Sequence, residues 1–192
     1  MNPTNQSSSL DNSALQDTRS SHSENLVEHY WGSINYVTSL IKASELKAGL
    51  ILSFYGILFN LIYQGTFELI ANAGNNTILF ILVGLWVGIT VASVFFCVRC
   101  FIPKIEGKFK SNVFFFGDVI SKFGEVEQFS KTFYRVSLNE NELFDQLGEQ
   151  IFVISKIATW KFKNVQRAIL LLAIGLTLLL ILAGFYGLVV LT

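Results

Sequence analysis

The sequence predicts an all-α integral membrane protein with three transmembrane helices and a small helical cytoplasmic segment. The last helix is expected to be long and continuous from cytoplasm into membrane. Three observations carry this reading. Apolar stretches run Ala48 to Tyr63, Thr77 to Val98 and Ala168 to Leu191 in a chain of 192 residues that is 52% hydrophobic. All fourteen Lys and Arg residues fall on one side of those stretches, because Gln64 to Asn76 holds none and nothing basic follows Arg167. No proline interrupts the chain after Pro103.

Residues 1–25 are rich in Ser, Asn, Thr and Gln and lack the apolar core of a signal peptide, so a disordered polar tail is expected. Across 26–46, Leu26, Tyr30, Ile34, Val37 and Ile41 recur at helical spacing, and Tyr30, Trp31 and Tyr36 add rings suited to headgroups. An amphipathic helix on the cytoplasmic side or in the interface follows.

A transmembrane hairpin is expected over 47–102. A hydrocarbon core of about 30 Å needs roughly 20 helical residues. Thr77 to Val98 meets that length; Ala48 to Tyr63 is short and contains Asn60, so it must borrow neighbours or thin the bilayer. The link Gln64 to Asn76 joins antiparallel neighbours. Gly84, Gly88 and Ala92 place small residues at every fourth position, a pattern that lets helices approach closely in lipid. Cys97 and Cys100 form a C-x-x-C without the βαβ setting of a redox motif or further ligands for zinc, so they read as structural thiols in a reducing compartment.

Pro103 ends the second span, and 103–166 reads as the cytoplasmic helical segment. From Asn112, Phe116, Ile120, Phe123, Val126 and Phe133 suggest one amphipathic helix, with Lys122, Glu125, Glu127 and Lys131 on its solvated face. Asn139 with Glu142 resembles a capping box that starts another. From there Leu143, Leu147, Ile151, Ile154, Ala158, Phe162 and Val165 repeat at three- and four-residue spacing into the third span, 167–192. A helix from Asn139 to Leu191 would be about 80 Å long. The cytoplasmic helices make a small core by themselves, to be completed by the N-terminal helix or by other copies of the chain, and homo-oligomerisation is expected.

Short loops rich in Lys and Arg stay in the cytoplasm during insertion, which puts the N-terminus inside and the C-terminus outside. The net charge is zero, which gives no bias toward DNA or RNA. No phosphate loop, zinc-binding H-E-x-x-H or nucleophile elbow is present, and Asp118, Glu125, Glu127, Glu140, Glu142, Asp145 and Glu149 have the spacing of solvated helix faces. No catalytic residue, metal site or cofactor is expected, and the chain does not read as an enzyme. At the entry to the first span, Glu45 and Lys47 pair with each other or with partners, or Lys47 snorkels to headgroups.

Three blocks, in order, resemble the transmembrane effectors of Pycsar, a bacterial anti-phage system. They are Ala43-Ser44-Glu45-Leu46-Lys47-Ala48-Gly49; Phe101-Ile102-Pro103-Lys104 followed by Asn112 to Asp118; and Gln150-Ile151 through Lys156-Ile157 and Trp160-Lys161-Phe162 to Arg167-Ala168. The family tends to have Asp where Glu45 stands and Ala where Ser44 stands. The resemblance implies a defence effector in the bacterial inner membrane, whose partner cyclase makes cyclic CMP or cyclic UMP on infection. It implies that the effector then impairs the membrane and stops phage replication. Under that implied role, Lys104, Lys108, Lys110 or Lys156 meets the nucleotide phosphate while a Phe or Tyr stacks on the base. Glu45, Lys47, Asn112 and Gly117 are then the motif residues expected in gating. The alternative is a non-gated scaffold that recruits a cytoplasmic partner through the Phe-rich helix. A constitutive channel fits poorly, since Asn60, Thr90, Ser93 and Thr177 are nearly all the polar residues in the spans.

Overall fold

The computed structural model describes the backbone of residues 4–72, 77–102 and 111–191, and the side chains of 21–64, 77–102 and 111–187. Its regular elements are all helical: α1 (Thr4–Asn72), α2 (Thr77–Phe101), α3 (Phe116–Ser121), α4 (Val126–Leu138) and α5 (Glu140–Leu191). Three of these, α1, α2 and α5, contain windows long and apolar enough to cross a bilayer. The chain is therefore an all-α membrane protein. Its residues group into two compact units, 1–38 with 106–155 and 39–105 with 156–192.

Helix α1 starts at Thr4, inside the stretch expected to be a disordered tail, and runs through the amphipathic segment and the first apolar stretch as one element of 69 residues. The first span therefore has helical length to spare. The link expected over 64–76 is shorter than the sequence suggested, since α1 continues to Asn72. Helix α2 stops at Phe101, two residues before Pro103, because a proline disfavours helical backbone in the residue that precedes it.

In the apolar unit, buried positions recur with a period close to 3.5. On α1 they are Ser44, Ala48, Ile51 and Tyr55; on α2, Trp86, Thr90, Ser93, Cys97 and Cys100; on α5, Ala158, Lys161, Val165 and Ala168. Ala48, Ile51, Tyr55, Cys97, Cys100, Val165 and Ala168 form one cluster, walled by Leu52, Leu58, Val94, Phe96 and Leu172. Such a period is the geometry of helices that pack side by side at a shallow angle. Helices α2 and α5 run antiparallel in strict register: the Ser93 hydroxyl donates to the Ala168 carbonyl at 2.9 Å, and one heptad along, Lys161 donates to the Cys100 carbonyl at 2.9 Å. The opposite faces carry Leu46, Leu50, Ile57, Ile81, Leu85, Val91 and Leu170, all exposed. That is the expected dress of a helix whose solvent is lipid, where packing and hydrogen bonds rather than apolar burial hold the seam.

The other unit has a smaller core. Ile34 on α1 is buried and Tyr30 packs on Phe144 of α5 with ring centroids 5.4 Å apart. Val113, Phe123 and Val136 form the cluster beneath α3 and α4, with Phe114 and Phe129 against it. The single amphipathic helix expected from Asn112 is divided. Gly124 takes a φ of +62°, a left-handed conformation that ends α3 and starts α4 on a new phase. The helical phase read from the sequence fails for this reason: Phe116, Ile120 and Val126 are exposed, while Val113 and Val136, which the pattern left out, are buried. Glu142 N–H donates to the Asn139 side chain at 3.3 Å, so Asn139 caps α5 as its spacing suggested.

Candidate functional site

Helix α1 delivers Glu45 one residue after the buried Ser44, whose hydroxyl is turned back onto the Leu40 carbonyl at 2.9 Å. Helix α5 delivers Lys161 from the middle of its buried seam, between Ala158 and Val165. The two side chains meet as an ion pair of 2.5 Å, with Lys161 3% exposed and Glu45 38% exposed. The same ammonium donates to the Cys100 carbonyl at 2.9 Å, where α2 approaches its last residue. A carbonyl in the last turn of a helix has no intrahelical donor and carries part of the negative end of the helix dipole, so it is a suitable acceptor for a cation. Three helices are thus tied at one nitrogen.

This clamp joins sequence blocks that are far apart. Glu45 belongs to the first block, Lys161 to the third, and Cys100 immediately precedes the second. Glu45 does not pair with Lys47, which is exposed on a different side of α1, as residues two apart on a helix must be. Sequence reasoning counted Lys161 among the basic residues flanking the membrane. The signal that would have placed it inside was its phase: it falls three residues after Ala158 and four before Val165, both members of the apolar repeat.

A second polar assembly centres on Asn112, which is buried. Its backbone N–H donates to Asp118 Oδ2 at 3.0 Å, its side-chain amide donates to the Gln146 carbonyl at 2.7 Å, and its Oδ1 accepts from Phe114 N–H at 2.8 Å. Gln146 Oε1 accepts from Val113 N–H at 3.0 Å. Lys122 closes the set on Asp118 at 3.0 Å. Asp118, in the first turn of α3, is therefore buried against the Asn112 amide rather than on a solvated helix face, contrary to its spacing. Three backbone amides, one backbone carbonyl and four side chains satisfy one another here, which fixes the 112–118 segment on α5. Gly117 lies in this segment, and a Cβ there would come within 2.8 Å of the Phe115 ring.

The remaining expected residues distribute as follows. Lys156 is exposed on α5, and Lys104, Lys108 and Lys110 lie outside the described residues. Gly84 and Gly88 are exposed, a Cβ at either would meet nothing within 4 Å, and Ala92 is half-buried. Cys97 and Cys100 are both buried and free. Among the described residues no group of three or more His, Cys, Asp or Glu side chains is placed to hold a metal ion.

A family model described as the Pycsar effector protein domain matches residues 29–188. The chain belongs to the Pycsar effector family. It is 25% identical over 159 residues to a Pycsar effector protein of Propioniciclava tarda, a match covering 80% of this chain and 77% of that one. No solved structure matches the chain. The family region begins at the amphipathic part of α1 and closes near the end of α5, so both polar assemblies fall inside it.

Proposed function

We propose that this chain is a membrane effector of an anti-phage cyclic-nucleotide system, gated by cyclic CMP or cyclic UMP and acting by impairing the bacterial inner membrane. The observation that carries the reading is the family match over nearly all the helical framework, together with three helices able to cross a bilayer. The one-sided distribution of Lys and Arg supports an N-terminus in the cytoplasm and a C-terminus outside. The functional partner is then a pyrimidine nucleotide cyclase, met through its product, and the working form is a homo-oligomer in the bilayer.

In this mechanism Lys104, Lys108, Lys110 and Lys156 supply charge for the nucleotide phosphate, and an aromatic ring stacks on the base. Binding shifts the 112–118 segment, which Asn112 and Gln146 fasten to α5. Because α5 is one helix from Glu140 to Leu191, a twist imposed near Gln146 reaches the Lys161 clamp along a continuous backbone. A ligand shifts such an equilibrium only by its differential affinity for the two states. Release of the Lys161–Glu45 pair is the step that would open the apolar seam.

The test is dye-loaded liposomes carrying the purified chain, challenged separately with cyclic CMP, cyclic UMP, cyclic AMP and cyclic GMP. Leakage with a pyrimidine nucleotide alone is the expected result, abolished by joint Lys-to-Ala substitution of the four lysines with insertion intact. Inserted protein that leaks with none of them would overturn direct gating. One observation favours a second reading. Phe116, Ile120 and Val126 are 82%, 73% and 86% exposed in a part of the chain outside the apolar stretches, a surface suited to a scaffold that holds a cytoplasmic partner. Ligand-independent capture of one stoichiometric protein, lost on Phe116→Ser with Ile120→Ser, would favour that reading.

A further inference from the structure

At the basic end of the apolar unit, α2 and α5 place two arginines against aromatic rings. The Arg99 guanidinium carbon lies 5.6 Å from the centre of the Trp160 ring and 6.0 Å from that of Phe95. That of Arg167 lies 5.6 Å from the centre of Phe96. Stacking engages the face of a guanidinium and leaves its N–H edge available for a planar or tetrahedral oxyanion. Neither arginine forms an ion pair with a described carboxylate, and Glu45 at the same end of the unit is engaged by Lys161. Lys163 is exposed on α5, four residues before Arg167 and three after Trp160, so it adds a third cation on the same face.

We propose that Arg99 and Arg167, with Lys163, form a binding site for the phosphodiester headgroup of an anionic phospholipid. Cations beside a low-dielectric phase need an anion, and the bilayer supplies one at this depth. The surroundings select a lipid over a soluble phosphate: Phe95, Val98 and Phe101 on α2, within four residues of Arg99, and Ile169 and Leu170 on α5, within three of Arg167, are exposed, a surface for acyl chains rather than for water. The ring contacts set both arginines beside this apolar surface. The site does not depend on nucleotide gating.

The test is native mass spectrometry of the full-length chain released from detergent, titrated with phosphatidylglycerol, with phosphatidylcholine, and with inorganic phosphate as competitor. Retention of phosphatidylglycerol over phosphatidylcholine by roughly tenfold or more is expected, with no displacement by millimolar phosphate. Arg99→Gln with Arg167→Gln is expected to remove that preference, while the charge-matched pair Lys42→Gln with Lys131→Gln keeps it. Equal loss in both pairs would show a diffuse charge effect and overturn the site. Equal retention of the two lipids would overturn it as well, and displacement by phosphate alone would show a soluble-anion site in its place. Should the arginine variant lose protection of its buried thiols, a Trp31→Phe, Trp86→Phe chain decides the matter through its remaining Trp160. Brominated phosphatidylglycerol must then quench that tryptophan more strongly than brominated phosphatidylcholine, and equal quenching refutes the proposal.

Discussion

Removing either partner of the Lys161–Glu45 pair has unequal consequences, and the inequality follows from their burial. Glu45→Gln leaves an ammonium 3% exposed with neutral acceptors, the Cys100 carbonyl among them, and no counter-charge. Breaking a buried pair so that one charge is stranded costs about 3–5 kcal/mol. Lys161→Met strands only a carboxylate that is 38% exposed and can turn to water or headgroups, and the methionine keeps most of the volume. Its expected cost is about 1–2 kcal/mol, mostly the hydrogen bond lost at Cys100. The double variant removes both charges and is expected to be milder than Glu45→Gln alone, with a coupling of about 1–3 kcal/mol. Cys97 and Cys100 are the only cysteines, and both sit in the cluster that the clamp closes. The rate at which a thiol-reactive dye labels them in micelles therefore reports opening of that seam. A 3 kcal/mol loss raises the open fraction roughly 150-fold, since each 1.4 kcal/mol is tenfold. Labelling of Glu45→Gln within threefold of the parent, or strictly additive single variants, would refute the clamp as a stabilising contact.

Three further predictions concern other parts of the chain. Asn112→Ala deletes the bonds to Gln146 and Phe114 N–H and is expected to cost about 2–3 kcal/mol; hydrogen exchange should rise over 112–121 while amides near Ser93 and Ala168 stay protected. Gly124→Ala forces a Cβ into a left-handed conformation and is expected to cost about 1–2 kcal/mol, with Gly124→Asn milder; the thermal midpoint of the purified protein reads the difference. A Cβ added at Gly84 or Gly88 meets nothing within 4 Å, so Gly84→Leu with Gly88→Leu starts each new side chain in open space. Thiol protection is therefore expected to be unchanged, whereas cross-linked oligomers in membranes should fall if this face joins copies of the chain.

The three spans were legible because a helix in lipid must be apolar on every exposed side, and hydropathy detects that directly. The same uniformity hid the packing. With lipid-facing and protein-facing positions both apolar, nothing in Thr77 to Val98 marked Trp86, Thr90, Ser93 and Cys97 as the inward row, except that its few polar side chains lie on it. The continuity of α5 followed from the absence of proline and the Asn139 cap. The division at Gly124 was missed because apolar residues recur at plausible spacing on both sides of it, and only the backbone sign change resets the phase. The clamp was missed for a different reason. Its members are 116 residues apart, and a lysine next to a membrane is ordinarily read as an anchor to headgroups. Asp118 failed likewise, since no helical spacing anticipates a carboxylate folded back on the amide of Asn112.

The clamp also limits which way the helices can move. An ammonium held by a side chain of α1 and a carbonyl of α2 works like a dowel: the seam has one axial alignment in which both acceptors are met. Sliding α5 by a single helical turn, about 5.4 Å, would carry Lys161 past both acceptors. Swivelling about the pin preserves both bonds through a wider arc. Piston-like travel of α5 is thus closed to the intact bundle, and a scissoring pivot at the height of residue 161 is the motion its architecture leaves open.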